Sequence, residues 1–214
     1  MTDRLTKGGC HAYCNRRCPR HGKPAVPFDV RGTQKRVFVD LLRWDVPVLA
    51  GRYEIDQFDN GSAVYIVIAD AEGEHLASAR LLPTTGDHIL GTIFPELCEQ
   101  APPRGGAILE ITRFCLARRL RARERLEVRN RLVSALVEYA LRNRIQSYTG
   151  VAEWPWFQQI LSFGWACRPL SLPGSTSGRC LVALQIDIDG RTREQLQASG
   201  IWRPVGLAEF AKAA

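Results

Sequence analysis

The chain has 214 residues, 45% of them hydrophobic and 24% charged, which fits one main globular domain with a sizeable core. Its seven cysteines, an odd number scattered over this length, exclude the dense disulfide framework of small secreted domains. The formal net charge of +7 favours an acidic partner: a nucleic acid, an anionic membrane, an acidic carrier protein or a phosphorylated cofactor. No run of about eighteen apolar residues and no N-terminal apolar segment with a cleavage site occur, so we expect a cytoplasmic protein without a membrane span.

Residues 1–30 are rich in Cys, Arg, Gly and Pro and show neither a two-residue nor a 3.6-residue apolar period. We therefore expect an irregular arm ahead of a domain that spans residues 31–214. Within the arm, Cys10, Cys14, Cys18 and His21 have a loose ligand-like spacing. Structural zinc sites more often use two tight C-x2-C pairs, so the C-x3-C-x3-C spacing favours an arm without metal.

The first predicted elements after the arm are a helix and a hairpin. From Thr33 to Trp44 the apolar residues recur at helical spacing, which predicts an amphipathic helix. β-Branched and aromatic residues dominate from Ala63 to Ala69, and the alternation from His75 to Leu82 is typical of a returning strand. The turn-forming residues between these two segments complete an antiparallel hairpin.

The second half of the chain alternates strands with helices. Residues Ala107 to Leu116 predict a central strand, and the apolar face from Arg123 to Asn143 predicts a long helix. The remaining predicted elements are a strand from Ile145 to Ala152, a helix from Trp154 to Phe163 and a strand from Cys180 to Ile188. This order predicts an α/β fold in which helices flank a mixed central sheet.

Charged residues stand at unusual places in this pattern. The predicted central strand carries Glu110 and Arg113, which point to opposite faces of a regular strand unless a bulge re-aims them. Upstream, Asp56 and Asp59 supply two carboxylates and Arg80 supplies another guanidinium. Buried charges must pair to offset their desolvation, so such a cluster either locks a cleft or binds a zwitterionic, positively charged ligand. S-adenosylmethionine, with its ammonium, carboxylate and sulfonium groups, is a ligand of this kind.

Four strings of residues follow one another in a fixed order. They are KRVFVDLLRWDVPVLAGRYEIDQFD from Lys35 to Asp59, SARLLPT around Arg80, GTIFPEL around Phe94 and EITRF from Glu110. Over residues 33–114 their order and spacing resemble the signature of LuxI-type acyl-homoserine-lactone (autoinducer) synthases, and Gly164-Trp165 is similar to that family's C-terminal half. The resemblance implies a GNAT-like acyltransferase fold in which splayed central strands accept an acyl-phosphopantetheine arm.

The resemblance also implies a reaction. The amine of S-adenosylmethionine attacks an acyl thioester carried by acyl carrier protein or coenzyme A, and the carboxylate then displaces methylthioadenosine to close a lactone used in quorum sensing. S-adenosylmethionine is a substrate here, so no permanently bound cofactor is implied. Because acyl transfer needs a neutral amine, a base must take its proton, and Glu110 is the best side-chain candidate.

The family's site positions carry over residue by residue. Those that match its catalytic network are Asp56, Asp59, Arg80, Glu110 and Arg113, and those that match its substrate-binding positions are Phe38, Trp44, Phe94 and Gln34. The family usually has arginine at the last of these positions, and glutamine supplies no charge. Lys35 and Arg36 do not point in the same direction, because a helix turns about 100° per residue. This departure leaves open a weakened or inactive enzyme.

Basic residues connect the central strand to the long helix. They are Arg118, Arg119, Arg121, Arg123 and Arg125. Guanidinium groups and the backbone amides of a helix N-terminus bind phosphate well. In GNAT folds this turn binds the pyrophosphate of coenzyme A, and a basic surface there would suit an acidic acyl carrier protein. A solvated, arginine-rich face without a ligand is the alternative.

Two other functions compete with this interpretation. An N-acetyltransferase that uses acetyl-coenzyme A would share the fold, but the chain lacks a Q/R-x-x-G-x-G/A loop after the central strand. A nucleic-acid-binding protein would use the Cys/His arm for zinc and the arginines for phosphate, and its binding would fall steeply with salt. We expect no nucleic-acid partner, and the sequence predicts neither the acyl chain nor the oligomeric state.

Overall fold

The protein is described by a computed structural model over residues 10–15, 48–49, 53–54, 56–176 and 179–209. The chain divides into two units, the first made of residues 1–80, 113–135 and 204–214 and the second of residues 81–112 and 136–203. In the described ranges, none of the helices combines the length and the apolar character that a membrane crossing requires.

Strands β1 to β6 occupy the first half of the chain, and β7 to β11 the second. Their bounds are β1 His11–Asn15, β2 Val48–Leu49, β3 Tyr53–Glu54, β4 Val64–Ala69, β5 His75–Pro83, β6 Ile108–Leu116, β7 Ser147–Glu153, β8 Ala166–Pro169, β9 Gly174–Thr176, β10 Arg179–Asp187 and β11 Ala208–Glu209. The helices are α1 Ile89–Thr92, α2 Ala122–Asn143, α3 Trp154–Leu161 and α4 Thr192–Ala198, with a 3-10 helix at Pro95–Leu97.

In the first unit the strand order is β11-β1-β4-β5-β6. β4 is buried along its whole length, which agrees with its mostly apolar composition. β5 is buried up to its last residue although it carries the polar residues His75, Ser78 and Arg80. Between them, the Gly73 N–H donates to the Asp70 carbonyl at 3.1 Å, and Gly73 has a φ of 85°, which glycine adopts without steric cost. The predicted hairpin is confirmed.

Strand β1 corrects the expectation of an irregular arm over residues 1–30. It pairs antiparallel with β4, placing Tyr13 opposite Val67, and parallel with β11. Ala12 and Cys14 are buried, whereas His11 is exposed, so the strand follows a two-residue period over too few residues to stand out from its surroundings. Apart from Cys10, the other residues of the predicted arm lie outside the described ranges, and so does the predicted helix from Thr33 to Trp44. The domain boundary at residue 31 stays a prediction.

In the second unit the sheet is mixed, as the sequence predicts. β6 and β7 run parallel, with Ile108 opposite Ser147 and Glu110 opposite Thr149. β10 pairs antiparallel with β7 along one edge and with β8 and β9 along the other. The predicted strands and helices of this half are all confirmed to within about two residues, but α1, β8, β9 and α4 were not predicted.

Helix α2 begins one residue before its predicted start and ends at Asn143 as predicted. At its N-terminus the Arg121 backbone N–H donates to the Glu124 carboxylate at 2.9 Å, which satisfies one of the amides that a helix start leaves open. At its C-terminus Arg144 has a left-handed φ of 56°, and the Ile145 N–H closes the turn on the Ala140 carbonyl at 2.9 Å.

One hydrogen bond joins α2 to the sheet within the second unit. The hydroxyl of Tyr148, a fully buried residue of β7, donates to the Leu136 carbonyl at 2.8 Å. We expect Tyr148→Phe to lower the free energy of unfolding by about 1–2 kcal/mol, because the change leaves the packing intact but removes this donor. Urea denaturation measures the difference, and an unchanged unfolding midpoint would show that the bond contributes nothing.

Candidate active site

A buried charged cluster lies in the first unit, and Asp56 is at its centre. One carboxylate oxygen of Asp56 accepts from Nη1 of Arg80 at 2.7 Å, and the other accepts from Nη2 of the same side chain at 2.9 Å. The second oxygen also accepts from Nη2 of Arg113 at 2.9 Å. Asp56 therefore binds Arg80 in the bidentate geometry typical of strong ion pairs and connects it to Arg113.

Asp59 closes the cluster from the other side. One of its oxygens accepts from Arg80 at 2.9 Å and also from the hydroxyl of Tyr65, and the other accepts the Asp56 backbone N–H at 2.9 Å. Two carboxylates thus face two guanidinium groups, so the formal charges within the cluster cancel. Four of the five predicted catalytic residues, Asp56, Asp59, Arg80 and Arg113, lie together in this cluster.

The electrostatics of the cluster follow from burial and pairing. Arg80 is only 1% exposed. Burial alone would raise the pKa of Asp56, but the hydrogen bond and the charge of Arg80, together with Arg113, hold that pKa below its usual value. Burial alone would likewise lower the pKa of Arg80, and Asp56 with the other acidic neighbours raises it instead. Each charge is stabilised by its partners, so removing one partner leaves the others buried without compensation.

Strand β6 does not keep the regular alternation of a strand at Arg113. Glu110 and Arg113 are both buried, and Arg113 has a left-handed φ of 52°. A residue in this conformation is typical of a β-bulge, and for a side chain other than glycine it costs about 1–2 kcal/mol. The sequence left open whether a bulge re-aims the charged residues of this strand. The left-handed φ of Arg113 interrupts the regular extended backbone at that point, and Glu110 and Arg113 are both buried.

Glu110 lies in the second unit, where it is fully buried and holds the start of α1. Its two carboxylate oxygens accept the backbone N–H groups of Ile89 and Leu90, both at 2.7 Å. Residue 88 precedes this helix, and the His88 ring donates through Nδ1 to the Gly86 carbonyl at 2.9 Å. The carboxylate therefore satisfies two amides that the helix start leaves open, and the short helix fixes the carboxylate in return.

The aromatic residue Phe94 follows α1 directly. It is partly buried and packs against the apolar core of this unit, which includes Leu90, Leu97, Leu181 and Ala183. The position of Phe94 thus depends on the helix that Glu110 holds. Its predicted contact with a substrate stays a prediction, as do the roles of Gln34, Phe38 and Trp44, which lie outside the described residues.

The arginines predicted to dock the acyl donor lie in the first unit, at the turn before α2 and in its first residues. Arg118, Arg119, Arg121 and Arg123 are all exposed. Arg119 already has partners within the protein, because it donates to the His75 carbonyl at 2.9 Å and to the Asp70 carboxylate at 3.3 Å. Positive side chains beside the positive end of a helix dipole are unfavourable unless an anion binds there.

The zinc arrangement weighed for the N-terminal arm does not fit β1. Cys10 and Cys14 stand four residues apart along extended chain, so their Cα atoms are separated by about 13 Å, whereas two sulfur ligands of one zinc lie about 4 Å apart. Burial also raises the pKa of the Cys10 thiol, which disfavours the thiolate that a metal needs. The described part of the chain contains no group of three or more His, Cys, Asp or Glu side chains that could hold a metal ion. Cys18 and His21 lie outside it.

Sequence reasoning missed three parts of the site. Tyr65 reads as an ordinary strand residue, although a buried tyrosine needs a partner for its hydroxyl and finds one in Asp59. The amides of Ile89 and Leu90 carry no sequence signal, because a helix of four residues is too short to show a period. Thr149 reads as part of a buried strand, and only the register places it beside Glu110.

Comparison with solved structures identifies the fold class. The crystal structure of TofI in a ternary complex with an inhibitor and MTA is 30% identical, with a TM-score of 0.72, and the match covers 87% of this chain and 96% of that one. The structure of MesI, described as a CoA-dependent acyl-homoserine lactone synthase, is 28% identical with a TM-score of 0.72, over 85% of this chain and 89% of that one. The GNAT-like acyltransferase fold is confirmed.

Comparison of sequences identifies the family. The family model "Autoinducer synthase" matches residues 27–196. An acyl-homoserine-lactone synthase of Ralstonia nicotianae is 36% identical over 192 residues, which cover 84% of this chain and 93% of that protein. The chain belongs to the autoinducer synthase family and is an acyltransferase, as the resemblance implied.

We expect Asp56→Asn to lower the free energy of unfolding at pH 7 by about 3–5 kcal/mol, because Arg80 and Arg113 then stay buried without their shared counter-charge. The folded-state pKa of Asp56 lies below the usual 3.8, so its stabilisation is complete above that value and is lost as the pH falls through the lower folded pKa. Urea denaturation over a pH series measures the difference.

The exposed Asp87 provides the control, since Asp87→Asn should change the free energy of unfolding by less than about 0.5 kcal/mol. An equal loss in both variants, or a loss at Asp56 that does not shrink in acid, would contradict the electrostatic explanation.

Proposed function

We propose that the chain is an acyl-homoserine-lactone synthase that acylates the amine of S-adenosylmethionine and then lactonises the product, releasing methylthioadenosine. The family match over residues 27–196 carries this proposal, together with the arrangement of the residues that correspond to the family's charged network. TofI, which resembles this chain over most of its length, was solved with MTA bound. Family membership favours this reaction over transfer of an acetyl group to another amine.

In this reaction Glu110 is the base. The attacking amine must be neutral, and a carboxylate held by two backbone amides is a fixed proton acceptor. Holding it costs nothing during the reaction, because α1 already fixes its orientation in the resting protein. The lactone then forms when the substrate carboxylate attacks the γ-carbon next to the sulfonium and methylthioadenosine leaves.

The four residues of the charged cluster serve mainly as a rigid support. Every carboxylate oxygen of Asp56 and Asp59 already accepts at least one hydrogen bond from within the cluster or from nearby backbone and tyrosine groups. The charges of the cluster are therefore compensated before any ligand binds. The sequence left open whether the cluster locks a cleft or binds a ligand, and this compensation supports the locking function. Gln34, Phe38, Trp44 and Phe94 are the proposed contacts of S-adenosylmethionine.

The acyl donor is a thioester of coenzyme A or of acyl carrier protein, and the exposed arginines before α2 dock its phosphate or its acidic surface. MesI, which is similar to this chain, is described as CoA-dependent. An anion at this turn would offset the unfavourable placement of arginines beside the helix N-terminus. Both substrates are made in the cytoplasm, where we propose that the enzyme produces a quorum-sensing signal.

The function is tested with purified protein, S-adenosylmethionine and a panel of acyl-coenzyme A and acyl-carrier-protein donors. Mass spectrometry should detect an acyl-homoserine lactone and methylthioadenosine in equal amounts, because each turnover releases one of each. Products with only one donor class would identify the donor. If the chain forms neither product but Gln34→Arg forms both, it is an impaired synthase, and no product from either protein would overturn the proposal.

The docking proposal predicts a donor-dependent effect. Replacing Arg118, Arg121 and Arg123 by alanine should raise the KM for acyl-coenzyme A at least about tenfold, since one hydrogen bond to a charged group contributes about 1.5–3 kcal/mol. The KM for the matching acyl-N-acetylcysteamine thioester, which has no phosphate, should stay unchanged. Steady-state kinetics with both donors measure the two values.

A matched control removes the same charge elsewhere. Arg142, Arg168 and Arg191 are exposed and lie in the second unit, so their replacement by alanine should leave both KM values unchanged. An equal rise in KM with both control and docking variants would mean that net charge alone attracts the donor. A rise with the phosphate-free thioester would mean that the docking arginines act on something other than phosphate.

A further inference from the structure

The hydroxyl of Thr84 lies at the base of the loop that carries α1 and Phe94. Thr84 directly follows β5 and is 0% exposed. Its Oγ1 accepts the Gly105 N–H at 3.0 Å and shares its own proton between the carbonyls of Ile108, at 2.9 Å, and Gly105, at 3.2 Å. This one hydroxyl therefore joins the end of β5 to the start of β6, across a loop whose two ends are 21 positions apart along the chain.

Arg104 adds two hydrogen bonds to the same junction. Its exposed side chain donates through Nε to the Thr84 carbonyl at 3.0 Å and through Nη2 to the Thr85 carbonyl at 3.1 Å. A planar guanidinium that donates to two successive carbonyls fixes the direction of both peptide groups. The contacts among Thr84, Thr85, Arg104, Gly105 and Ile108 are called the loop clasp below.

The loop clasp is close along the chain to both sides of the contact between Glu110 and α1. Glu110 follows Ile108 by two residues on β6. Ile89, whose N–H the Glu110 carboxylate accepts, follows Thr84 by five residues. This connection is itself folded into a turn, in which the Gly86 N–H donates to the carbonyl of the last residue of β5 at 3.4 Å. A displacement at the loop clasp therefore reaches the carboxylate and its amide partners through few rotatable bonds.

Helix α1 does not fix its own position. It has four residues, and a helix of that length is unstable alone because nucleation costs more than a single turn returns. Leu90 packs in the apolar core of this unit, but apolar packing has no preferred direction, so the orientation of α1 depends on hydrogen bonds. Glu110 accepts two of them, both at 2.7 Å, and the loop clasp fixes the chain that leads into the helix.

We propose that Thr84 is a positioning residue for the base: through the loop clasp it holds the amides of Ile89 and Leu90 where they fix the carboxylate of Glu110. The inference rests on the proposed role of Glu110 as the base. Thr84 itself takes no part in the proton transfer. A displacement of about 1 Å at a catalytic group can lower a rate by about a hundredfold, so contacts away from the reacting atoms can control kcat.

Amide hydrogen exchange measures this positioning without any turnover. Thr84→Val keeps the shape of the side chain but removes the hydroxyl. In this variant the amides of Ile89 and Leu90 should exchange about tenfold faster at pH 7, because α1 separates from Glu110 more often once the loop clasp has lost its central hydrogen bonds. Thr84→Ser, which keeps the hydroxyl, should restore slow exchange. Two-dimensional NMR follows each amide separately.

Thr192→Val is the matched control. Thr192 is also buried in the second unit, and its Oγ1 also accepts a backbone N–H, that of Asp189 at 2.9 Å. The control should lower the thermal unfolding midpoint about as much as Thr84→Val does, since each change removes a buried hydroxyl that has partners. Exchange at Ile89 and Leu90 should nevertheless change by less than about twofold, because the control leaves the loop clasp intact.

Kinetics connect the positioning to the reaction. In Thr84→Val we expect kcat to fall about tenfold while the KM for the acyl donor stays within about twofold, because the base is displaced and the docking arginines are not. Thr84→Ser and Thr192→Val should keep kcat near that of the unsubstituted protein. Arg104→Ala removes part of the loop clasp at an exposed side chain. It should speed exchange at the same two amides and lower kcat about threefold, which tests the inference if Thr84→Val does not fold.

Exchange at Ile89 and Leu90 that is no faster in Thr84→Val than in Thr192→Val would overturn the inference, whether or not the chain forms lactone. Faster exchange with an unchanged kcat would also overturn it, since the loop clasp would then stabilise the fold without serving the reaction. Lactone formation by the unsubstituted chain tests the proposed function separately, and the exchange measurement still decides whether Thr84 holds the two amides in place.

Discussion

The carboxylate of Asp56 is the interaction on which the first unit depends. It connects a guanidinium on β5 with a guanidinium on β6, and through Asp59 and Tyr65 it also reaches β4. Arg113 adopts a backbone conformation that a side chain other than glycine does not choose by itself. The ion pair with Asp56 offsets that strain. The irregular backbone at Arg113 is therefore stabilised by charge, and not only by packing.

In the second unit, the buried carboxylate of Glu110 is held by backbone N–H groups. Glu110 is buried as deeply as Arg80, and it accepts the backbone N–H groups of Ile89 and Leu90 at the start of a four-residue helix. The two carboxylates thus differ in what they hold: Asp56 connects guanidinium groups of two strands, whereas Glu110 fixes the start of α1, the position from which we propose that it acts as the base.

How much the sequence could predict depended on the length of each signal. The hairpin at Val64–Pro83 and helix α2 carry long periods and were predicted to within two residues. Strand β1 was missed because five residues among cysteines, arginines and glycines do not make a visible period. Helix α1 was missed because four residues show no helical face at all, so the partners of Glu110 became clear only from the structure. The order of motifs brought Asp56, Asp59, Arg80 and Arg113 together correctly, but it did not separate a locking role from a binding role.

A double-mutant cycle on Asp56 and Arg113 tests the central claim most directly. Urea denaturation of Asp56→Ala, Arg113→Ala and the double variant gives the coupling energy between the two side chains. We expect the double variant to be more stable than the sum of the single losses implies, by about 1–3 kcal/mol, since the second change removes a charge that the first left unpaired. Additive losses, within about 0.3 kcal/mol, would contradict this expectation and would mean that packing alone stabilises the irregular backbone at Arg113.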